Sequence, residues 1–170
     1  MQPDEVDARV RGDIERHGWH VVIVPPADDS PGWAHSIGLV ERHTHPELLV
    51  FGSEPSRLGA LVNALGERVR SGRRFRADEN ATGILEALPF AFRAVAPRWI
   101  PVFLGNAAWH YRRRDFGVLQ GFWPDAAARF PWEPGCAPEV AAEQPQLVYA
   151  EVHRALSERL IETLRHEGAL

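Results

Sequence analysis

The chain contains no lysine; all 19 of its basic residues are arginine. That absence excludes a Schiff base on a lysine, a lysine general base, any lysine-linked cofactor and a phosphate-binding loop ending in lysine. Cysteine is nearly absent too. The single Cys136 excludes an intramolecular disulfide and a zinc site built on two or four thiolates. It sits in the turn Pro134-Gly-Cys-Ala-Pro138, with no adjacent base to make it a nucleophile. No stretch approaches the ~18 apolar residues of a membrane helix. The opening Met1-Gln-Pro-Asp-Glu-Val-Asp7 is too acidic and polar for a secretory signal. The expectation is a cytoplasmic protein with no membrane partner. A strong excess of one charge is also lacking, the net charge being −4. The local basic runs, Arg68 to Arg76 and Arg112 to Arg114, read as solvated faces, and the first ends a helix, where arginine favours the dipole. No groove-entering motif accompanies them, so nucleic acid is not an expected partner.

What is present is an ordinary globular composition, 170 residues with 45% hydrophobic content, enough for one domain over residues 1–170 with a sizeable core. Val6, Val10 and Ile14 recur every fourth residue, one stripe of a helix that Gly18 ends. Trp19 to Val24 reads as a strand closed by Pro25-Pro26, Trp33 to Val40 as a second, and Glu47 to Phe51 as a third. Leu58, Leu61, Val62, Leu65 and Val69 give the clearest helix, with Ser53 as its cap and Gly72 as its stop. Arg73 to Arg76 reads as a short strand, Phe90 to Ala96 and Val118 to Trp123 as longer ones. Asn106 is expected to cap a short helix to Arg113, and residues 148–166 to form a C-terminal helix. Strands in succession with few helices between them predict an α+β fold, a mostly antiparallel sheet packed by helices.

The standard catalytic fingerprints are missing: no nucleophile elbow, no zinc-protease helix, no dinucleotide loop. Three polar groups stand out within apolar segments. In His43-Thr-His45-Pro-Glu47, an extended chain would project His43, His45 and Glu47 to one side. Two imidazoles and a carboxylate there suit a divalent metal, or His45 as a base oriented by Glu47; structural hydrogen bonding at a strand entrance is the alternative. In Trp33-Ala-His-Ser-Ile37, His35 and Ser36 each need a partner if buried. As neighbours on a strand they point to opposite faces and cannot serve one another as a catalytic pair. In Gln120-Gly-Phe-Trp-Pro-Asp125 and Phe130-Pro-Trp-Glu133, Asp125 is either a general base or the cap of a turn. Trp123 and Trp132 read as the walls of a site, with Trp132 alternatively a plug of the core.

The same blocks carry a resemblance. Gly18-Trp-His-Val-Val22, Pro31-Gly-Trp-Ala-His-Ser-Ile-Gly-Leu39, His45-Pro-Glu-Leu-Leu-Val-Phe-Gly52, Leu119-Gln-Gly-Phe-Trp-Pro-Asp125, Arg129-Phe-Pro-Trp-Glu133 and Gln144-Pro145 together resemble the bacterial family of domains of unknown function 4262, over a core of about residues 18–147. The resemblance implies a single-domain α+β protein of bacterial type and supplies no activity. Relatives usually carry an aromatic residue and then threonine where this chain has His35-Ser36, which keeps a hydroxyl at 36 and places an imidazole at 35. The pattern emphasises His45-Pro-Glu47, Pro124-Asp125 and Pro131-Trp132, which implies either one shared site or a signature of the fold.

Three readings remain open at this stage. One is a small-molecule pocket with His45, Glu47 and Asp125 as catalytic or polar contacts and His35, Ser36, Trp123 and Trp132 around the ligand, with hydrolysis or proton transfer as its chemistry. The second is a non-catalytic interaction or accessory module, including association with a second copy of the chain. The third is a metal site on His43, His45 and Glu47.

Overall fold

Apolar alternation on both faces of β3 (Glu47–Gly52), every residue of which is buried, marks it as a central strand with cores on either side. Leu48 and Val50 join one hydrophobic cluster, Leu49 and Phe51 the other. In the computed structural model, which describes residues 3–170 with side chains from Glu5 onward, this strand lies in a six-stranded sheet. The other strands are β1 (His20–Val24), β2 (Gly32–Ile37), β4 (Asn80–Ala81), β5 (Phe90–Ala94) and β6 (Val118–Phe122), ordered β1-β2-β3-β6-β5-β4. All neighbours are antiparallel except β3 and β6, which run parallel in the register Glu47↔Val118 to Val50↔Gly121. The fold is thus α+β with a mostly antiparallel sheet. The opening Met1 and Gln2 lie outside the described residues.

One face of the sheet is covered by α3 (Pro55–Arg70), whose Leu58, Val62, Leu65 and Val69 pack on Ala34, Leu48, Val50 and Phe92. The other face collects α1 (Pro3–His17), a 3₁₀ turn (Pro97–Trp99), α4 (Ile100–Phe103), α5 (Gly105–Tyr111), α7 (Val152–Ala155) and α8 (Glu158–His166). Their Val10, Ile14, Trp99, Phe103, Ala107, Leu160 and Leu164 close over Ile37, Leu49 and Phe51. Two short helices remain, α2 (Leu39–His43), between β2 and β3, and α6 (Pro138–Ala142). Among the described residues no helix is long and apolar enough to cross a membrane.

Several boundaries differ from the sequence reading, each for a local reason. The strand expected from Trp33 to Val40 stops at Ile37, because Gly38 turns the chain with φ 119° and starts α2. Glycine is needed there: a Cβ would lie 2.9–3.0 Å from Ile14, the Gly18 carbonyl and Trp19. Helix α3 starts without a side-chain cap from Ser53; Pro55 pre-sets the first turn instead. Asn106 falls inside α5, which begins at Gly105. Arg73 to Arg76 forms no strand, its chain being held by the Arg68 carbonyl and by His45. The expected C-terminal helix is two helices, because Leu156 is extended and the Ser157 hydroxyl accepts the Leu160 amide at 3.3 Å, starting α8 afresh.

Glycine at 66 keeps α3 close to the sheet, for a Cβ there would lie 2.5 Å from the Trp19 indole, whereas at Gly12 it would meet only the flexible end of Arg16 at 3.1 Å. Gly66→Ala is therefore expected to destabilise the protein by about 1–3 kcal/mol, and Gly12→Ala to be neutral or to stabilise it by about 0.5–1 kcal/mol. Urea unfolding of both variants checks the pair; equal effects would contradict the close approach at Gly66.

Candidate functional site

Each polar residue singled out by the sequence is best located by what its atoms bond to. Glu47 opens β3 and is fully buried. Its Oε2 accepts the Ser36 hydroxyl at 2.5 Å. Its Oε1 accepts the amides of Gly38 at 3.0 Å and Val40 at 3.1 Å, and the Tyr111 hydroxyl. The ladder between β2 and β3 ends at His35↔Leu49. One step further, the Leu48 amide donates to the Ser36 oxygen at 2.9 Å, so Ser36 links strand to carboxylate. The Gly38 amide also donates to the Tyr111 oxygen at 2.7 Å. Four donors from β2, α2 and α5 thus surround one carboxylate, at the amide end of α2 where the peptide dipoles favour a negative charge. Burial lifts the Glu47 carboxyl above the usual range against the pull of these donors, and burial followed by the Glu47 charge pushes the Tyr111 hydroxyl upward.

His45 is also buried, but it does not meet Glu47 as a base meets its orienting acid. Its Nδ1 donates to the Pro46 carbonyl at 2.7 Å and its Nε2 accepts the Phe75 amide at 3.1 Å. Both nitrogens are consumed in one neutral tautomer, and burial lowers the pKa. His35 is buried on the opposite face from Ser36, its Nδ1 on the Ser36 carbonyl at 3.1 Å; desolvation depresses it from 6.5 to about 4. The alternation that set His35 and Ser36 apart therefore holds.

The metal arrangement does not form. His43 ends α2 and Thr44 is left-handed, with φ 50°, so His43, His45 and Glu47 do not alternate along an extended chain. Among the described residues, His43 Nε2 is the one buried side-chain nitrogen or oxygen without a hydrogen-bond partner, and it lies against Gly18. Among the described residues no group of three or more histidine, cysteine, aspartate or glutamate side chains is placed to hold a metal.

Asp125 lies elsewhere. Because β3 and β6 run parallel, Glu47 is level with Val118, and Asp125 lies beyond the far end of β6, a strand length of about 17 Å for five residues away. There its Oδ1 accepts the amides of Ala127 and Arg129, each at 2.9 Å, and its Oδ2 that of Ala137 at 3.0 Å. These bonds, the Arg129 amide first, hold its carboxyl below the usual carboxylate range. It caps the turn. Cys136 follows that turn, its thiol raised by burial and then by the Asp125 charge.

Trp132 stacks on Phe130 at 5.0 Å and meets Phe122 edge-on at 5.1 Å, with Arg93 over its face at 4.2 Å. The Trp123 indole donates to the Phe51 carbonyl at 2.9 Å. Gln144 clasps the Trp123 backbone, donating to its carbonyl at 2.9 Å and accepting its amide at 3.0 Å. Gln120 does the same for the following segment, through the Pro145 carbonyl at 2.6 Å and the Leu147 amide at 3.1 Å. His45, Glu47 and Asp125 therefore do not converge on one concavity.

A concave surface lined by exposed apolar side chains lies elsewhere, between α1, β1 and α5. It is a groove of about 380 Å³ whose lining includes Val6 and Val10, His20 to Ile23, and Trp109 with His110. A continuation of about 360 Å³ runs past Trp109 to Arg11 and Arg112. Trp109 is 63% exposed. The sequence reading missed this groove; its one signal was a tryptophan at a position outside any apolar stripe. It also missed Tyr111 as a partner of Glu47, which no spacing announces across 64 residues.

A helix-covered six-stranded sheet with its motif polar groups turned inward defines the class as a small α+β domain. The chain belongs to the family described as domain of unknown function (DUF4262), whose model matches residues 13–137, well over half of its length. No curated protein and no solved structure matches it.

Two experiments address the buried groups. Replacing Glu47 with glutamine puts an amide among four donors and is expected to cost roughly 2–4 kcal/mol in urea unfolding; an unchanged midpoint would contradict the cluster. For His35, the folded pKa of about 4 lies below the ordinary 6.5, so the unfolded chain binds the extra proton. Its contribution is fully present above pH 6.5 and is lost as pH falls toward 4, by roughly 3 kcal/mol. Glu47, raised instead, has the opposite sign, its contribution being full at acid pH and lost as pH rises above its ordinary value. The comparison of His35→Phe with the parent cancels that term, and the variant is expected to lack the His35 part of the acid decline. Parallel pH–stability curves for the two proteins would contradict a buried neutral His35.

Proposed function

We propose that this domain is a non-catalytic interaction module and that its recognition surface is the groove between α1, β1 and α5. One observation carries the reading. Among the described residues the exposed large hydrophobic side chains are Val6, Ile23, Trp109 and Leu170, and the first three line this one groove. Exposed apolar groups gathered in a concavity with polar groups at its rim mark a binding surface more often than a stability feature. The catalytic reading has less support, since His45, Glu47 and Asp125 each spend their polar atoms on neighbouring backbone or buried hydroxyls.

Tryptophan is a frequent anchor of binding surfaces because it buries much area at little conformational cost. Trp109→Ala is expected to leave the unfolding midpoint within about 0.5 kcal/mol of the parent and to abolish binding of peptides selected on the parent from an unrestricted display library. Selected peptides that bind both proteins equally would place recognition elsewhere. An absence of Trp109-dependent peptides altogether would count against a protein-binding groove.

A further inference from the structure

β1 is the outermost strand on its side of the sheet. It pairs with β2 along one edge, and among the described residues its backbone makes no hydrogen bond on the other. Exposed edges are usually blunted by proline, by charge or by a bulge. The run His20-Val-Val-Ile-Val24 carries none of these. His20, Val21, Val22 and Ile23 all line the groove. Successive side chains of a strand point to opposite faces, so a cavity that touches four in a row runs along the backbone edge itself. The groove along that edge is also lined by residues of α1 and α5, among them the exposed Trp109.

The charges of the walls are uneven. Among the described residues, Arg9, Arg11 and Arg112 line the groove and its continuation with one lining carboxylate, Asp7, while Asp13 and Glu41 are bonded to the lining His20 and His110. Asp7 is already paired with Arg11. Arg9 and Arg112 have no carboxylate partner among the described residues, and Arg113 and Arg114 continue the basic run.

We infer that β1 accepts an extended segment of a partner protein as an added strand, and that this segment alternates apolar with acidic residues. The inference deepens the interaction-module reading and rests on it. Main-chain pairing along β1 supplies sequence-independent affinity, and side-chain contacts supply selectivity. Val6, Val22 and Trp109 offer the apolar contacts; Arg9 and Arg112 offer partners for carboxylates. A second copy of the chain is a poorer occupant. Its own β1 has no acidic residue, so self-pairing would leave the unpaired arginines of two copies without counter-charges and close to one another.

The test uses the full chain and two display libraries of extended segments about eight residues long, enough to cover a strand of ordinary length. Both have apolar residues at alternate positions; the intervening positions are aspartate or glutamate in one library and lysine or arginine in the other. The best binder is synthesised with and without N-methyl groups on alternate amides, titrated by fluorescence anisotropy, and examined for amide exchange at His20 to Val24. The acidic library is expected to yield binders that slow exchange along β1. N-methylation on the pairing edge is expected to weaken them by about tenfold or more. Replacing both arginines, Arg9→Glu with Arg112→Glu, is expected to shift selection to the basic library. Selection from the basic library on the parent protein would overturn the acidic occupant. Binders that tolerate N-methylation on either set of amides and leave β1 exchange unchanged would overturn strand addition while leaving Trp109-dependent recognition standing. Concentration-dependent dimerisation that protects β1 without peptide would assign the edge to a second copy and overturn the inference. A lack of binders from both libraries, with Trp109-dependent peptides still obtained from the unrestricted one, would overturn it without touching the broader reading; a lack of any such peptide would remove both.

Discussion

The structure depends most on one buried charge-bearing group. A carboxylate taken out of water costs several kcal/mol unless donors replace its hydration, and Glu47 finds four of them. The arrangement is reciprocal. Gly38 and Val40 stand at the start of α2, where amides have no partner within the helix, and the carboxylate is what satisfies them. Ser36 stands where β2 and β3 separate, and its hydroxyl takes the Leu48 amide that the ladder no longer serves. Tyr111 brings in α5 from across the domain. Removing the carboxylate would leave loose ends in a strand, two helices and the turn between them, which is why none of these elements can shift alone.

The same economy governs the other motif residues. His45 ties the loop after α3 to the entrance of β3, Asp125 folds the turn after β6, and Gln120 and Gln144 strap the segment before Tyr149 along that strand. Each replaces a missing backbone partner in a stretch where proline or a turn interrupts regular pairing. Such residues look like chemistry in a linear chain, because they are polar and embedded in apolar surroundings. Their bonds show them acting as connectors, and the surface we propose for recognition is built of residues that are chemically plain.

Much of the fold was legible because its signals are periodic. The Leu58 to Val69 stripe, the alternation from Phe90 onward and the apolar runs of β1, β3 and β6 all became the elements they suggested. The misses share a cause. The end of β2 at Ile37, the break at Leu156 and the absence of a strand at Arg73 to Arg76 are decided by single contacts with distant or local partners, which no window of spacing contains. The candidate site was less legible still. Proximity of His45 to Glu47 in the chain suggested a pair, yet the pair that forms is Glu47 with Ser36 and Tyr111. Judging whether Asp125 converges with His45 and Glu47 requires knowing that β3 and β6 are parallel, and strand direction is a property of the connection between them, not of either strand. Trp109 was passed over because an exposed aromatic side chain has no pattern to belong to.

That parallel junction also shapes how the chain can acquire its structure. The meander β1-β2-β3 and the pairing of β5 with β6 each join segments close in sequence, and can form early. The union of β3 with β6 joins residues about seventy positions apart, so the loop-closure entropy of everything between must be met before any contact repays it. Glu47 and Tyr111 sit at that seam. The two halves of the sheet are thus expected to zip last at their most buried line, and the slowest folding step is expected there and not at the helices that dress the faces.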